Sequence, residues 1–94
     1  MLQHIIVKWN ETVTDKAALM PEINALFQNT TVIPGIHKVE LFPNVIDRPN
    51  RYDLMIVLTM DPEALPVYDA CEWHKAWKEQ YGGMIEKKAI FDKE

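Results

Sequence analysis

YDLMIVLTM, Tyr52 to Met60, decides the fold. At a period of two, Tyr52, Leu54, Ile56, Leu58 and Met60 fall on one face, with Met55 and Val57 on the other. Both faces are apolar, so this strand needs cover on each side. The chain's own helices can supply one layer, and a second subunit is expected to supply the other. On its C-terminal side, Asp61-Pro62-Glu63 reads as a cap, a first helical position and a first-turn acid. The helix started there meets Pro66, which limits the regularity of its first turns. It runs on through Tyr68 and CEWHKAWKEQY to the stop at Gly82-Gly83. Met84 to Asp92 forms the last strand.

On the N-terminal side, Asn44 to Arg51 is a polar, proline-bearing loop, and IHKVELFP, Ile36 to Pro43, is a strand ending at its proline. Before it, Leu19, Ile23, Leu26 and Thr30, with Met20 and Phe27 beside them, recur at three- and four-residue steps and make one helical stripe. Thr14 is the expected cap of that helix, with Asp15 in its first turn, and Pro21 is expected to kink it or loosen its first turn. LQHIIVKW, Leu2 to Trp9, is β-branched, aromatic and too short for an amphipathic helix, so it is a strand. The order β-α-β-β-α-β over residues 1–94 predicts an α+β, ferredoxin-like monomer of one domain.

A chain of 94 residues buries a modest share of its surface, which also favours help from a partner subunit. Net charge is −4 and the cations are dispersed, so the footprint of a nucleic-acid binder is missing. No apolar stretch approaches the roughly 20 residues that cross a bilayer, so no membrane partner is expected. Cys71 is the single cysteine, and MLQHIIVKWN lacks the pattern of a secretory leader. The expected location is therefore the cytoplasm. No Gly-rich phosphate loop or nucleophile elbow is present, and the three histidines lack ligand spacing, so no metal is expected.

The chemistry gathers around CEWHKAWKEQYGG, Cys71 to Gly83. At 100° per residue, Cys71, Trp73, His74, Trp77 and Tyr81 share an arc from about 200° to 360°, which turns His74 inward. A histidine there can act as general acid or base near neutral pH, and it reads equally as a packing histidine. Tyr68, six residues earlier, can share proton transfers with it at a carbonyl or enol, or be a core ring. Asp92, at the end of the last strand, can orient the histidine ring or stand in solvent. His4 shares a strand face with Leu2, Ile6 and Lys8, which suggests either a cavity wall grading from polar to apolar or a sheet-end histidine near solvent. Trp77 reads as core or pocket lining.

As a whole, HIIVKW, IPGIHKVE, YDLMIVLTM, EALPVYDACEWHKAW and the final IFD, in this order and spacing, resemble the stress-responsive A/B barrel (Dabb) domain family. The resemblance runs nearly end to end. It implies a ferredoxin-like monomer that pairs its sheets into a homodimeric α+β barrel with a small-molecule pocket. Its plant polyketide cyclases use a Tyr and a His for an aldol condensation, with no metal or organic cofactor. By similarity Tyr68 and His74 match that pair, Asp92 matches the orienting acid, and His4 matches a further pocket histidine. Two features differ. Many relatives read His-Pro-Ala-His where this chain has Cys71-Glu72-Trp73-His74, and Lys8 and Glu22 replace apolar or aromatic pocket residues. An unpaired charge is costly in an apolar pocket, so the alkylated polyketide does not carry over. The resemblance thus implies cofactor-independent cyclase, isomerase or lyase chemistry on a carbonyl compound, with Ile6, Lys8 and Trp77 beside His4 as ligand contacts. A non-catalytic stress-responsive binding protein is the alternative, and a cofactor-independent monooxygenase a third.

Overall fold

Burial alternates along β1 (Leu2–Trp9): Gln3, Ile5, Val7 and Trp9 are buried, and Leu2, His4, Ile6 and Lys8 are half-buried. The computed structural model describes residues 1–94 and continues with α1 (Lys16–Gln28), β2 (Ile36–Pro43), β3 (Leu54–Met60), α2 (Leu65–Ala70), α3 (Glu72–Tyr81) and β4 (Ile85–Lys93). The strands form one antiparallel sheet in the order β2-β3-β1-β4, which is the ferredoxin-like α+β fold. The single crossing helix between β1 and β2, and the broken one between β3 and β4, put all helices on one face of the sheet.

Register assigns the two faces. Ile5 pairs with Ile56 and Val7 with Leu54 on the helix-facing side, whereas His4 pairs with Val57 and Ile6 with Met55 on the other. The core therefore joins Ile5, Val7, Trp9, Leu54, Ile56 and Leu58 to Ile23 and Phe27 of α1 and to Trp77 and Tyr81 of α3. Trp77 stands edge-on to Phe27, with ring centroids 5.1 Å apart, and to Trp9 at 6.3 Å. The opposite face has no helix and mixes the apolar side chains of Leu2, Ile6, Met55, Val57, Phe42 and Phe91, the last 63% exposed, with His4, Lys8, Lys38, Glu40, Lys87 and Lys93.

Several local readings shift. Asp15, and not Thr14, caps α1 by accepting the Ala18 N–H at 3.2 Å. Pro21 is accommodated within a continuous helix. The missing N–H frees only the carbonyl of Ala17, at the start of the helix. Tyr52 and Asp53 lie outside β3, and β4 starts one residue later than expected. The helix after β3 breaks at Cys71, not at Pro66, whose place at the start of α2 needs no N–H. Cys71 is extended (φ −73°, ψ 159°), and its Sγ accepts the His74 N–H at 3.4 Å to cap α3.

One carboxylate ties three elements together. Asp53, with only 8% of its side chain exposed, accepts the Trp9 N–H at 2.8 Å and the Lys16 ammonium at 2.8 Å. Its own N–H donates to the Val7 carbonyl at 2.8 Å. Lys16 is partly exposed, so the ion pair adds little, and the bond to the buried Trp9 amide carries the weight. Asp53→Ala is expected to lower the unfolding free energy by about 2–3 kcal/mol in urea titrations, since it strands that amide. A change below about 0.5 kcal/mol, the range of an ordinary surface substitution, would contradict this role.

Candidate functional site

The break at Cys71 brings Tyr68 and His74 together. Tyr68 leaves α2 toward the core and is 1% exposed. His74 sits in the first turn of α3, half-buried, its ring centroid 4.9 Å from that of Tyr68 at an interplanar angle of 52°. The His74 Nδ1 lies 2.9 Å from the Asp69 carbonyl oxygen. A carbonyl only accepts, so Nδ1 carries a proton and the neutral ring keeps its lone pair on Nε2. That is the arrangement of a general base whose orientation is set by its other nitrogen.

Tyr68 lies beside this ring. Its hydroxyl is buried and has no hydrogen-bond partner. Burial pushes its pKa above the usual phenol value of 10.0, helped by the nearby Cys71 and Asp69, so the group stays protonated and keeps a proton to donate near neutral pH. Tyr81 is raised too, by burial and then by its 2.7 Å hydrogen bond to Glu22. Glu22 thus serves as the acceptor for a core tyrosine.

The other expected site residues make no hydrogen bond to Tyr68 or His74. Asp92 makes no hydrogen bond to His74, whose Nδ1 is held by the Asp69 carbonyl instead. It is exposed in β4, directly opposite Gln3 of β1. His4, Ile6 and Lys8 share one face, but that face points away from Trp77, Tyr68 and His74. The His4 Nδ1 lies 3.1 Å from the Phe91 carbonyl, and the Lys8 ammonium donates to the Arg51 carbonyl at 3.0 Å. Trp77 is 2% exposed and belongs to the core.

Sequence reasoning passed over Gln3. It is 4% exposed on the helix-facing side, and its Oε1 has no partner. Trp9 held the signal: the largest ring on the strand has most to gain from burial, and counting back by two gives Val7, Ile5 and Gln3. Two clefts open on the surface, both at the opposite end of β3. One, of about 360 Å³, lies on the helix-free face between Ile6, Phe42, Tyr52 and Met55. The other, of about 230 Å³, lies among Trp9, Lys16, Asp47 and Asp53. Lys16 bridges the two carboxylates there, and they hold its pKa above the ordinary lysine value. Neither cleft is lined by Tyr68 or His74. No group of three or more His, Cys, Asp or Glu side chains is placed to hold a metal ion. No helix is long and apolar enough to cross a membrane.

No family model matches the sequence, and no curated protein does. Solved structures do match the fold. A dimeric ferredoxin-like protein of unknown function from Bacteroides fragilis superposes with a TM-score of 0.78 at 18% identity, covering 99% of this chain and 94% of its own. A dimeric ferredoxin-like protein of unknown function from Thermobifida fusca gives 0.77 at 18% identity, covering 96% and 86%. The hydroxynitrile lyase of Passiflora edulis gives 0.71 at 11% identity, covering 96% and 88%. The class is thus the α+β ferredoxin-like fold, which dimeric proteins of unknown function and a lyase share.

The raised Tyr68 pKa gives stability a pH dependence with a definite sign. Above pH 10 the unfolded phenol loses its proton while the folded one keeps it, so unfolding releases a proton and rising pH favours the unfolded state. Urea midpoints are expected to fall as pH rises past 10, and Tyr68→Phe to flatten that fall. An equal slope in the variant would contradict the buried, unpartnered phenol.

Proposed function

We propose that this chain is a single-domain, homodimeric barrel protein of the stress-responsive A/B barrel type that performs cofactor-independent acid–base chemistry on a small carbonyl compound at Tyr68 and His74. The observation that carries the reading is the buried, unpartnered Tyr68 hydroxyl set against a histidine whose Nδ1 is already committed. His74 Nε2 takes a proton from the carbon next to the carbonyl. The C–H electron pair moves into the new C=C bond, and the carbonyl π pair moves onto oxygen. Tyr68 donates to that oxygen as negative charge develops, which a low-dielectric setting makes effective. Return of the proton to another carbon gives isomerisation. Attack of the enolate on a second carbonyl gives cyclisation, and the reverse sense gives lyase chemistry. A hydroxynitrile lyase on the same fold supports the last sense.

The homodimer rests on the apolar side chains of the helix-free sheet face and on the dimeric state of the similar structures. A second copy set face to face covers Val57, Met55 and Ile6 on both subunits. The second reading, a ligand-binding protein without catalysis, is favoured by one observation: both clefts lie away from Tyr68 and His74.

The test is exchange of α-protons from a panel of small ketones into D2O, followed by NMR. Wild type is expected to accelerate exchange of at least one ketone, and His74→Ala to reduce that acceleration by about 10²-fold or more. Tyr68→Phe is expected to reduce it by a similar factor. Exchange at the buffer rate for the whole panel, or exchange indifferent to His74, would favour the non-catalytic reading. Dilution should lower the melting temperature if folding is coupled to dimerisation. A concentration-independent value, with a monomer in sedimentation, would sink the dimer.

A further inference from the structure

The helix-free face of the sheet has a hole toward one edge and a projecting ring at the other. The hole is the cleft of about 360 Å³, lined by Ile6 of β1, Met55 of β3, Phe42 of β2, and Val45 and Tyr52 of the β2–β3 loop. β4 contributes nothing to it. The ring is Phe91 on β4, 63% exposed. β2 and β4 are the two edge strands, so hole and ring lie on opposite sides of one face. Each keeps apolar surface in water that burial would stabilise.

Cross-strand register fixes their heights. Phe91 lies in one row with His4, Val57 and Glu40, and the next row toward the β2–β3 loop holds Ala89, Ile6, Met55 and Phe42. Along β4, Lys93 comes one row before Phe91; along β2, Glu40 comes one row before Phe42 and the hole. The two edges thus carry opposite charges at the same two-residue step from ring and hole, in the same order toward the loop. Lys93 meets no side-chain carboxylate in its own chain, where its ammonium reaches only the Glu94 main-chain oxygen at 3.4 Å. Glu40 is joined to Lys38 at 3.5 Å and keeps 38% of its side chain exposed. Three strand spacings, about 14 Å, hold the two sets apart within one chain.

We propose that the occupant of the cleft is Phe91 of a second copy of this chain, seated reciprocally across a two-fold axis that sets β4 of each copy over β2 of the other and brings Lys93 to the partner's Glu40. The contact rests on the homodimer proposed above and says how its two copies are placed. An axis lying between the faces and running along the strands exchanges the edges, and both contacts are then the same by symmetry. Packed sheets are rotated by about 30°, which at an edge about 7 Å from the centre line slides one strand along the other by about 4 Å. Taken toward the loop, that slide covers most of the row between Phe91 and the hole, and the phenylalanine side chain spans the rest. An axis across the strands would instead set β4 over β4, leave both holes open and turn Lys93 toward the partner's Lys87. Like charges disfavour that placement.

Sedimentation across a dilution series tests the contact. Phe91→Ala is expected to raise the dimer dissociation constant about 100-fold or more, because the ring is lost twice. Ile90→Ala is the control. Ile90 is 54% exposed on the same strand but pairs with the inward Ile5, so its loss should move the constant by no more than about threefold. Glu40→Lys and Lys93→Glu should each weaken the dimer about tenfold, and the double reversal should restore it to within about threefold of wild type. A dimer indifferent to Phe91→Ala, or weakened equally by Ile90→Ala, would overturn the seating of Phe91 and leave the dimer itself standing. A double reversal no stronger than the single ones would overturn the placement of β4 over β2. Wild-type protein that stays monomeric at every concentration would overturn the homodimer and this contact together.

Discussion

Burial of Ile5, Val7 and Trp9 against the helices sets where every polar group of β1 can act. Side chains alternate across a strand, so one buried aromatic at Trp9 sends Gln3 inward with it and His4 outward. A slip of one residue would exchange the whole set, placing Lys8 in the core and Trp9 in solvent. Asp53 opposes that slip by holding the Trp9 amide, and the T-shaped packing of Trp9 on Trp77 adds a second restraint. The chemistry of the inner layer is thus decided some 20 Å from it, at the other end of the strand.

The second constraint is the extended residue between α2 and α3. Had Tyr68 and His74 stood on one continuous helix, six residues would have turned them through about 600°, leaving them about 120° apart around its axis. The break at Cys71 offsets that rotation and brings the rings side by side, tilted at 52°. It also frees the Asp69 carbonyl for the His74 ring, which a continuous helix would have bonded to the N–H of Trp73. Cys71 stands where many relatives of the resembled family have a histidine, and here its sulfur caps the second helix.

The element order and the two faces of β3 were legible in the sequence because β1 and β3 are strongly apolar and each helix stripe is periodic. Trp77 and Tyr81 were legible as inward residues for the same reason. The face of β1 that meets the helices was not, because its outward residues Leu2 and Ile6 are apolar too, and a histidine draws attention that a glutamine does not. Asp53 was hidden because it reads as part of the strand from Tyr52 to Met60, where nothing local shows that it accepts from an amide 44 residues away. Asp92 at a strand end offered no local sign of its partner. The helix-facing cross-strand pair with Gln3 emerges only from the register.

The claim on which the proposed chemistry depends most directly is the state of one ring: His74 holds its proton on Nδ1 and its lone pair on Nε2. Long-range proton–nitrogen correlation NMR on ¹⁵N-labelled protein, with His74→Gln for assignment, reads that state directly. The expected spectrum shows a protonated Nδ1 and an unprotonated Nε2 in the neutral ring. A neutral ring protonated on Nε2, or one averaging freely between tautomers, would contradict it.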